Sequence, residues 1–223
     1  MWWIPEVARE DRGDAGRGAR LLTGRMEAFS DGVFAIAITL LVLEIKIPAD
    51  SSDLLAAVVE EWPIYLGYLI SFFTIGSVWM THSAITEYLD HVDPIMLQIN
   101  LLLLMVVGLL PVPTRLMADY IDAASNERVA VTIYGAVLLS TRLMVFALWE
   151  YGVRSRLVRT NLADDHVQAV SAKLAPSLGA YVVALVIGLL APVAAVVLYF
   201  AIALYLILPF RELVAMRRRS SST

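Results

Sequence analysis

One apolar stretch near the N-terminus decides the fold: residues 28–47, which read AFSDGVFAIAITLLVLEIKI. From Gly32 to Leu43 it contains apolar residues and a single hydroxyl, that of Thr39. A helix of this length spans about 30 Å at 1.5 Å per residue, which is the thickness of the hydrocarbon core of a bilayer. We therefore expect a transmembrane helix here.

Five further apolar runs follow, at residues 62–81, 95–116, 129–149, 174–190 and 193–208. The last two are separated only by Ala191 and Pro192, and proline breaks the hydrogen-bond ladder of a helix. A tight hairpin is therefore favoured over one very long helix. The chain is predicted to be an all-α integral membrane protein with six transmembrane helices and one membrane domain, residues 25–210. Residues 1–24 precede this domain and a basic tail, residues 211–223, follows it.

The composition agrees with a lipid environment and limits the possible partners. Of 223 residues, 59% are hydrophobic and 17% are charged, with a net charge of -4 and no cysteine. Disulfides and cysteine metal sites are thereby excluded, and nucleic acid is an unlikely partner. We expect the chain to be surrounded by the lipid bilayer, and we expect no soluble binding partner. Residues 1–24 lack an apolar core, so they are not expected to form a cleavable signal peptide.

The distribution of lysine and arginine predicts the orientation. Thirteen lie in the segments that alternate on one side of the predicted spans, and three lie on the other. Positive residues concentrate on the cytoplasmic side. Both termini should therefore be cytoplasmic, in a multi-pass protein of the cell (inner) membrane.

Polar side chains inside the spans predict a hydrogen-bonded network. An ionisable group at mid-bilayer costs at least about 2.5–3.5 kcal/mol unless it is paired or hydrated. The rise of 1.5 Å per residue along a helix places Asp31, Trp79, His82, Asn100 and Arg142 in the cytoplasmic half of the membrane. The simplest account pairs Asp31 with either Arg142 or Arg25. A structural link between helices is favoured over a proton relay or ion site, since a paired carboxylate is not free to bind a passing cation. The predicted members are Arg25, Ser30, Asp31, Trp79, His82, Asn100 and Arg142.

The first span also carries an apolar stripe. On a wheel of 100° per residue, Ile36, Leu40 and Leu43 lie on one side, bordered by Thr39. Ser30 and Asp31 fall on the other side. Periodicity alone leaves open whether the stripe faces a pore, lipid or another helix.

One motif in this span resembles a known signature. Residues 25–31, RMEAFSD, and the continuation GVFAIAITLLVLEI are similar to the RxxxFSD first helix of the transmembrane protein 175 family of potassium channels. The similarity extends through FTIGSVWMTH, residues 73–82, and NLLLLMVVGLLPVPT, residues 100–114. Many members have two adjacent histidines after this tryptophan-containing stretch, whereas here His82 is followed by Ser83.

The resemblance implies a prokaryotic, single-repeat channel: a homotetramer in which the first helices line a central pore. Potassium would be the permeant ion, and no cofactor is implied. It places a hydrophobic constriction at Ile36 with further apolar layers at Leu40 and Leu43, and a hydroxyl layer for selectivity at Thr39. It also assigns Arg25, Ser30 and Asp31 to hydrogen bonds between helices, with Trp79, His82 and Asn100 as partners.

Other functions have weaker support in the sequence. Thr74, Ile75 and Gly76 match part of a potassium filter, but no re-entrant loop surrounds them, and close helix packing by Gly67, Ser71 and Thr74 is favoured. The three histidines lack metal-site spacing, and no catalytic motif occurs, so an enzyme is not expected. A proton- or cation-coupled transporter is the main alternative to a channel.

Overall fold

The computed structural model describes residues 12–46, 53–121, 126–159 and 164–207 and confirms the all-α fold. The predicted tail, residues 211–223, and the ends of the first and sixth predicted spans lie outside this part of the chain. The helices are α1 Arg12–Val42, α2 Leu54–Glu60, α3 Trp62–Tyr88, α4 Pro94–Leu109, α5 Pro111–Tyr120, α6 Glu127–Arg154, α7 Asp164–Gly188 and α8 Pro192–Ile207.

Four of the six predicted spans correspond to helices that are long and apolar enough to cross a membrane: Trp62–Tyr88, Pro94–Tyr120, Glu127–Arg154 and Val170–Gly188. The second of these is α4 continued by α5. The remaining two predicted spans correspond to α1 and α8. In α1, charged residues that include Arg25, Glu27 and Asp31 lower the mean hydropathy, and α8 has only 16 residues. The protein is thus a multi-pass membrane protein.

Several helices run beyond the predicted boundaries. The second span was expected to end at residue 81, but α3 continues to Tyr88; α1 begins already at Arg12. The 27 residues of α3 span about 40 Å, more than the hydrocarbon core requires. Hydropathy reports where a chain is apolar enough for lipid, whereas a helix continues for as long as its backbone hydrogen bonds do.

The third span is interrupted, which its apolar pattern did not predict. α4 ends at Leu109 and α5 begins at Pro111, with the Leu110 amide donating to the Val107 carbonyl at 3.1 Å. Pro111 and Pro113 have no amide hydrogen, so the regular ladder cannot pass through them unchanged. The chain nevertheless resumes at once, because the Thr114 amide donates to the Leu110 carbonyl at 3.1 Å.

The predicted hairpin between the last two spans is confirmed. α7 ends at Gly188, and the Ala191 amide donates to the Ile187 carbonyl at 2.7 Å. Pro192 then opens α8, at the first helical position, where its missing amide hydrogen costs nothing. α7 and α8 pack against one another, so one long helix is ruled out.

Close packing positions the bundle around α3 and α6. α1 packs on α3 and α4, while α6 packs on α4, α5 and α7. The predicted contact role of Gly67 is confirmed, since a Cβ there would lie 3.0 Å from Met117 Cε and 3.1 Å from Thr114 Cγ2. At Gly135 a side chain would overlap the ring of Tyr199. These glycines let α3 approach α5 and α6 approach α8.

Candidate permeation helix and its hydrogen-bond network

The helix α1 is half covered by its own subunit. With Ile36 at zero on a helical wheel, its exposed residues occupy the arc from about -140° to +40°, and its buried residues occupy the rest. The buried face packs against α3 and α4. It is formed by Met26, Ser30, Phe34, Ala37 and Leu41.

The opposite face of α1 carries the residues predicted to line a pore. Ile36 is 60% exposed and Leu43 is 65% exposed, and Leu40 and Thr39 are also exposed. The Thr39 hydroxyl donates to the Ile36 carbonyl at 2.8 Å, so its hydrogen is used within the helix. Its oxygen, on the uncovered side, can therefore present a lone pair to a hydrated or partly dehydrated cation.

The buried face of α1 is tied to α3 and α4 by a continuous chain of hydrogen bonds. The Ser30 hydroxyl donates to the Met26 carbonyl at 2.8 Å and accepts from Asn100 Nδ2 at 3.0 Å. Asn100 Oδ1 lies 2.8 Å from His82 Nε2, which donates when the ring carries its proton there. All three side chains are buried, and the His82 ring packs edge-on against Phe34. Three of the predicted network residues are thus joined.

A second link between α1 and α3 lies at the surface. Asp31 Oδ1 accepts a hydrogen bond of 2.8 Å from Trp79 Nε1, and both residues are exposed in the single chain. The predicted partnership of Asp31 with Trp79 is therefore present. It forms a layer separate from the buried chain of Ser30, Asn100 and His82.

Within the subunit, Asp31 forms neither of its predicted ion pairs. Arg142 lies between α6 and α7, where its Nε donates to Ser177 Oγ at 2.7 Å. Arg25 is exposed, and among the described side chains no ion pair joins Asp31 to either arginine. Depth along a helix had suggested the pairing, but depth does not tell which way a side chain points. α6 packs on α4, α5 and α7, and Arg142 points towards α7.

Sequence reasoning missed a polar layer that joins α3, α5 and α6. Ser71 Oγ lies 2.7 Å from Thr114 Oγ1 and 2.8 Å from Tyr134 Oη, all three buried. The sequence predicts for Ser71 only a role in close helix packing, on account of its small size. The signal available was the presence of single hydroxyls in otherwise apolar spans.

Sequence reasoning also missed a contact at the far end of α1. Arg115 Nη1 donates at 2.8 Å to the carbonyl of Glu44, just beyond the helix, and Arg115 pairs with Asp119. The spacing of four residues between Arg115 and Asp119 could have indicated that pair. No sequence pattern predicts the contact between Arg115 and the backbone carbonyl of Glu44.

The two histidines whose side chains the structure describes, His82 and His91, do not assemble into a site. His82 is buried in the α1–α3–α4 contact, His91 lies 3.6 Å from the Asp90 carboxylate, and His166 has no described side chain. Over the described ranges no group of three or more histidine, cysteine or acidic side chains could hold a metal ion. The chemistry available is therefore that of an uncovered apolar face with one hydroxyl layer, supported by hydrogen bonds behind it.

Comparison with known proteins places this architecture in a family. A family model described as the endosomal/lysosomal potassium channel TMEM175 matches residues 25–111, beginning at the first residue of the RMEAFSD motif. A potassium channel of Streptomyces collinus is 43% identical over 154 residues, covering 68% of this chain and 72% of the relative. A potassium channel of Chamaesiphon minutus is 37% identical over 188 residues, covering 82% and 92%.

The fold is similar to a solved structure as well. The crystal structure of a lysosomal potassium-selective channel TMEM175 homolog from Chamaesiphon minutus matches with a TM-score of 0.76 at 36% identity, covering 83% of this chain and 96% of that one. Identity of this level over most of both chains excludes a chance likeness of helical bundles. The chain belongs to the TMEM175 family, which is a family of ion channels and not of enzymes.

Proposed function

We propose that four copies of this chain form a potassium-permeable channel with α1 at its centre. The observation that carries the proposal is the uncovered half of α1, which presents Ile36, Leu40 and Leu43 together with the Thr39 hydroxyl. One helix cannot enclose a water-filled path, whereas several copies around a closed cyclic axis can. The relatives named as potassium channels support a conducting role, and the number four rests on the resemblance of the RMEAFSD motif to the family's first-helix signature.

The exposed Asp31 argues against plain lipid around this helix. An ionisable side chain facing hydrocarbon costs about 2.5–3.5 kcal/mol, and its single bond to Trp79 leaves the carboxylate largely uncovered. Contact with a neighbouring subunit or with water would remove this cost. Phe29, also exposed, lies on the same half of α1 and would be covered by the same contact.

In the assembled channel, rings of Ile36, Leu40 and Leu43 would form apolar constrictions. Such rings close a narrow path by excluding water, because a cation loses its hydration there without compensation. Thr39 would supply the hydroxyl layer. Replacing hydration water with hydroxyl oxygens favours cations of suitable size, so Thr39→Ala should reduce the permeability ratio of potassium to sodium. Reversal potentials in mixed solutions would measure it, with exposed Val42→Ala as the control.

The proposed topology has six spans, with both termini cytoplasmic in the cell (inner) membrane. The excess of basic residues on one side supports this orientation. α1 and α8 would be the two remaining spans. The residues of α1 beyond Asp31 are apolar apart from Thr39, and α8 packs closely against α7, which is itself long and apolar enough to cross a membrane. The channel domain would then run from residue 25 to residue 210.

A coupled transporter is the second candidate, because one observation favours it. Transporters place their substrate sites at broken helices, and the α4–α5 span is broken at Leu110. The hydroxyls beside the break, those of Ser71, Thr114 and Tyr134, are however bonded to one another. A mutually paired set offers few free oxygens to an ion, which favours the channel.

Recordings from purified protein in planar bilayers test the proposal. Discrete currents under a potassium gradient are expected, since a channel passes ions far faster than a carrier cycles. Native mass measurement in mild detergent should give a tetramer. Potassium uptake without unitary currents would establish the transporter instead, and an active monomer would overturn the pore between subunits.

A further inference from the structure

A second polar cluster lies inside the subunit, away from α1. It consists of Arg142 on α6, Ser177 and Tyr181 on α7, and Thr74 on α3; we call it the Arg142 cluster. All four side chains are more than nine-tenths buried. Among the described residues, Arg142 Nη1 has no hydrogen-bond partner. The hydroxyls of Tyr181 and Thr74 have no partner outside this cluster and can pair only with one another. A buried guanidinium nitrogen is thus left unsatisfied in the same region as two hydroxyls that have no other partner.

The backbone directs these groups towards one another. Arg142 Nε is held by Ser177 Oγ at 2.7 Å, and Ser177 in turn donates to the Leu174 carbonyl at 2.7 Å, so this hydroxyl has no proton left to give. Tyr181 lies one turn further along the same face of α7. Its hydroxyl is close enough to that of Thr74 for the two to share a hydrogen bond, and it lies within electrostatic range of Arg142. Arg142 and the two hydroxyls therefore lie in one region of the interior, where α6 packs on α7 and on α3.

The charge of this point is positive. A guanidinium keeps its proton in proteins and can only donate hydrogen bonds. Over the described residues no carboxylate forms an ion pair with Arg142. A buried charge without a counter-charge is strongly unfavourable, and the loss of water around it makes the surrounding field strong. What is missing is an acceptor that carries negative charge.

We propose that the Arg142 cluster binds one small monovalent anion, with chloride as the representative ligand. Arg142 Nη1 would supply the charge, and the hydroxyls of Tyr181 and Thr74 would turn their protons towards the ion. A single guanidinium balances one negative charge, which disfavours sulfate and phosphate. A lipid headgroup is disfavoured because all four side chains are enclosed. The site would fasten α3, α6 and α7 together, and it does not rest on the pore proposed for α1.

Thermal unfolding of the purified full-length protein in detergent tests the site. Sodium chloride and sodium bromide are compared with sodium gluconate at equal ionic strength. Binding to the folded state alone should raise Tm by at least about 2 °C, and the rise should saturate with halide concentration. Crystals grown in bromide should show an anomalous peak beside Arg142. An unchanged Tm together with water alone at that position would overturn the proposal.

Two variants identify the site, and a third is the matched control. Arg142→Gln and Tyr181→Phe should lose the halide dependence of Tm. Tyr134→Phe removes an equally buried hydroxyl that is already paired with Ser71, so it should lower Tm equally in halide and gluconate. If Arg142→Gln does not fold, the halide dependence of Tm in Tyr181→Phe and the anomalous bromide peak beside Arg142 test the site without it. Halide dependence that survives in Tyr181→Phe, without a peak at Arg142, would assign it to the protein surface.

Discussion

The two faces of α1 are built from similar residues but are held in different ways. Phe34 is 1% exposed and is locked between α3 and α4, with the bonded chain of Ser30, Asn100 and His82 beside it. Ile36, two residues further on, is 60% exposed and touches little of its own subunit. The buried face therefore fixes the helix in place, whereas the other face stays uncovered in the single subunit, as the proposed assembly and conduction require.

The largest expected effect comes from truncating the buried face. Phe34→Ala should lower the free energy of unfolding by about 3–5 kcal/mol, because it removes a large side chain from a packed interior and leaves a cavity. Denaturant titration of the detergent-solubilised protein would measure the loss. The matched control is Ile36→Ala in the dissociated subunit, where a change within about 0.5 kcal/mol is expected. Equal losses at both positions would show that the faces do not differ.

A polar group on the uncovered face should change current without changing folding. Ile36→Asn would place amide dipoles in the apolar ring and ease its wetting, so the open probability or leak current should rise several-fold. Planar-bilayer recordings measure it. The control is Val33→Asn, one turn nearer the cytoplasm on a partly covered side, where a smaller effect on current is expected. A strong effect at Val33 and none at Ile36 would show that α1 is rotated in the assembled pore.

Asp31 lies at the boundary between the two faces of α1. The ion pair first expected for it would have made its loss cost about 3–5 kcal/mol. Its actual partner is Trp79 at the surface, so Asp31→Ala should cost only about 1 kcal/mol, and Asp31→Asn, which retains an acceptor, less. Denaturant titration and native mass measurement test both variants. Loss of the tetramer in Asp31→Ala would show that a neighbouring subunit covers this carboxylate.

The smallest expected effect is a dependence on pH outside the membrane. Asp93 precedes α4. Desolvation is the largest single effect on its carboxyl group and raises its pKa, but hydrogen bonds, chiefly from the Tyr151 hydroxyl and the Met96 amide, together outweigh this and hold the pKa below its ordinary value. A lowered pKa in the folded state stabilises the protein above the ordinary pKa, and this stability is lost as pH falls through the lowered one. Unfolding temperatures at decreasing pH should therefore fall more steeply in the wild type than in Asp93→Asn. Parallel curves of unfolding temperature against pH for the two proteins would contradict this role of Asp93 as the N-cap of α4.

The sequence alone determined the fold class, because the spans are long apolar runs and proline marks the turn at Pro192. It also placed His82 and Asn100 at similar depth in the membrane, and the resemblance to the family implied Ser30 as a partner. Such depth follows directly from the helical rise, which is the same for every sequence. The RMEAFSD motif identified the family. The pore roles of Ile36, Thr39, Leu40 and Leu43 stay predictions, although their exposure agrees with them.

Which polar side chains contact one another is determined by how the helices pack. The tertiary structure separated Arg142 from Asp31, placed Arg142 beside Ser177, and brought Arg115 to the carbonyl of Glu44. These contacts depend on the rotation of each helix about its own axis and on which helices are neighbours. In spans that are apolar all round, many rotations bury similar apolar area, so hydropathy cannot distinguish them. Close contacts at Gly67 and Gly135 and a few directional hydrogen bonds select one rotation, and their geometry exists only once the helices have packed.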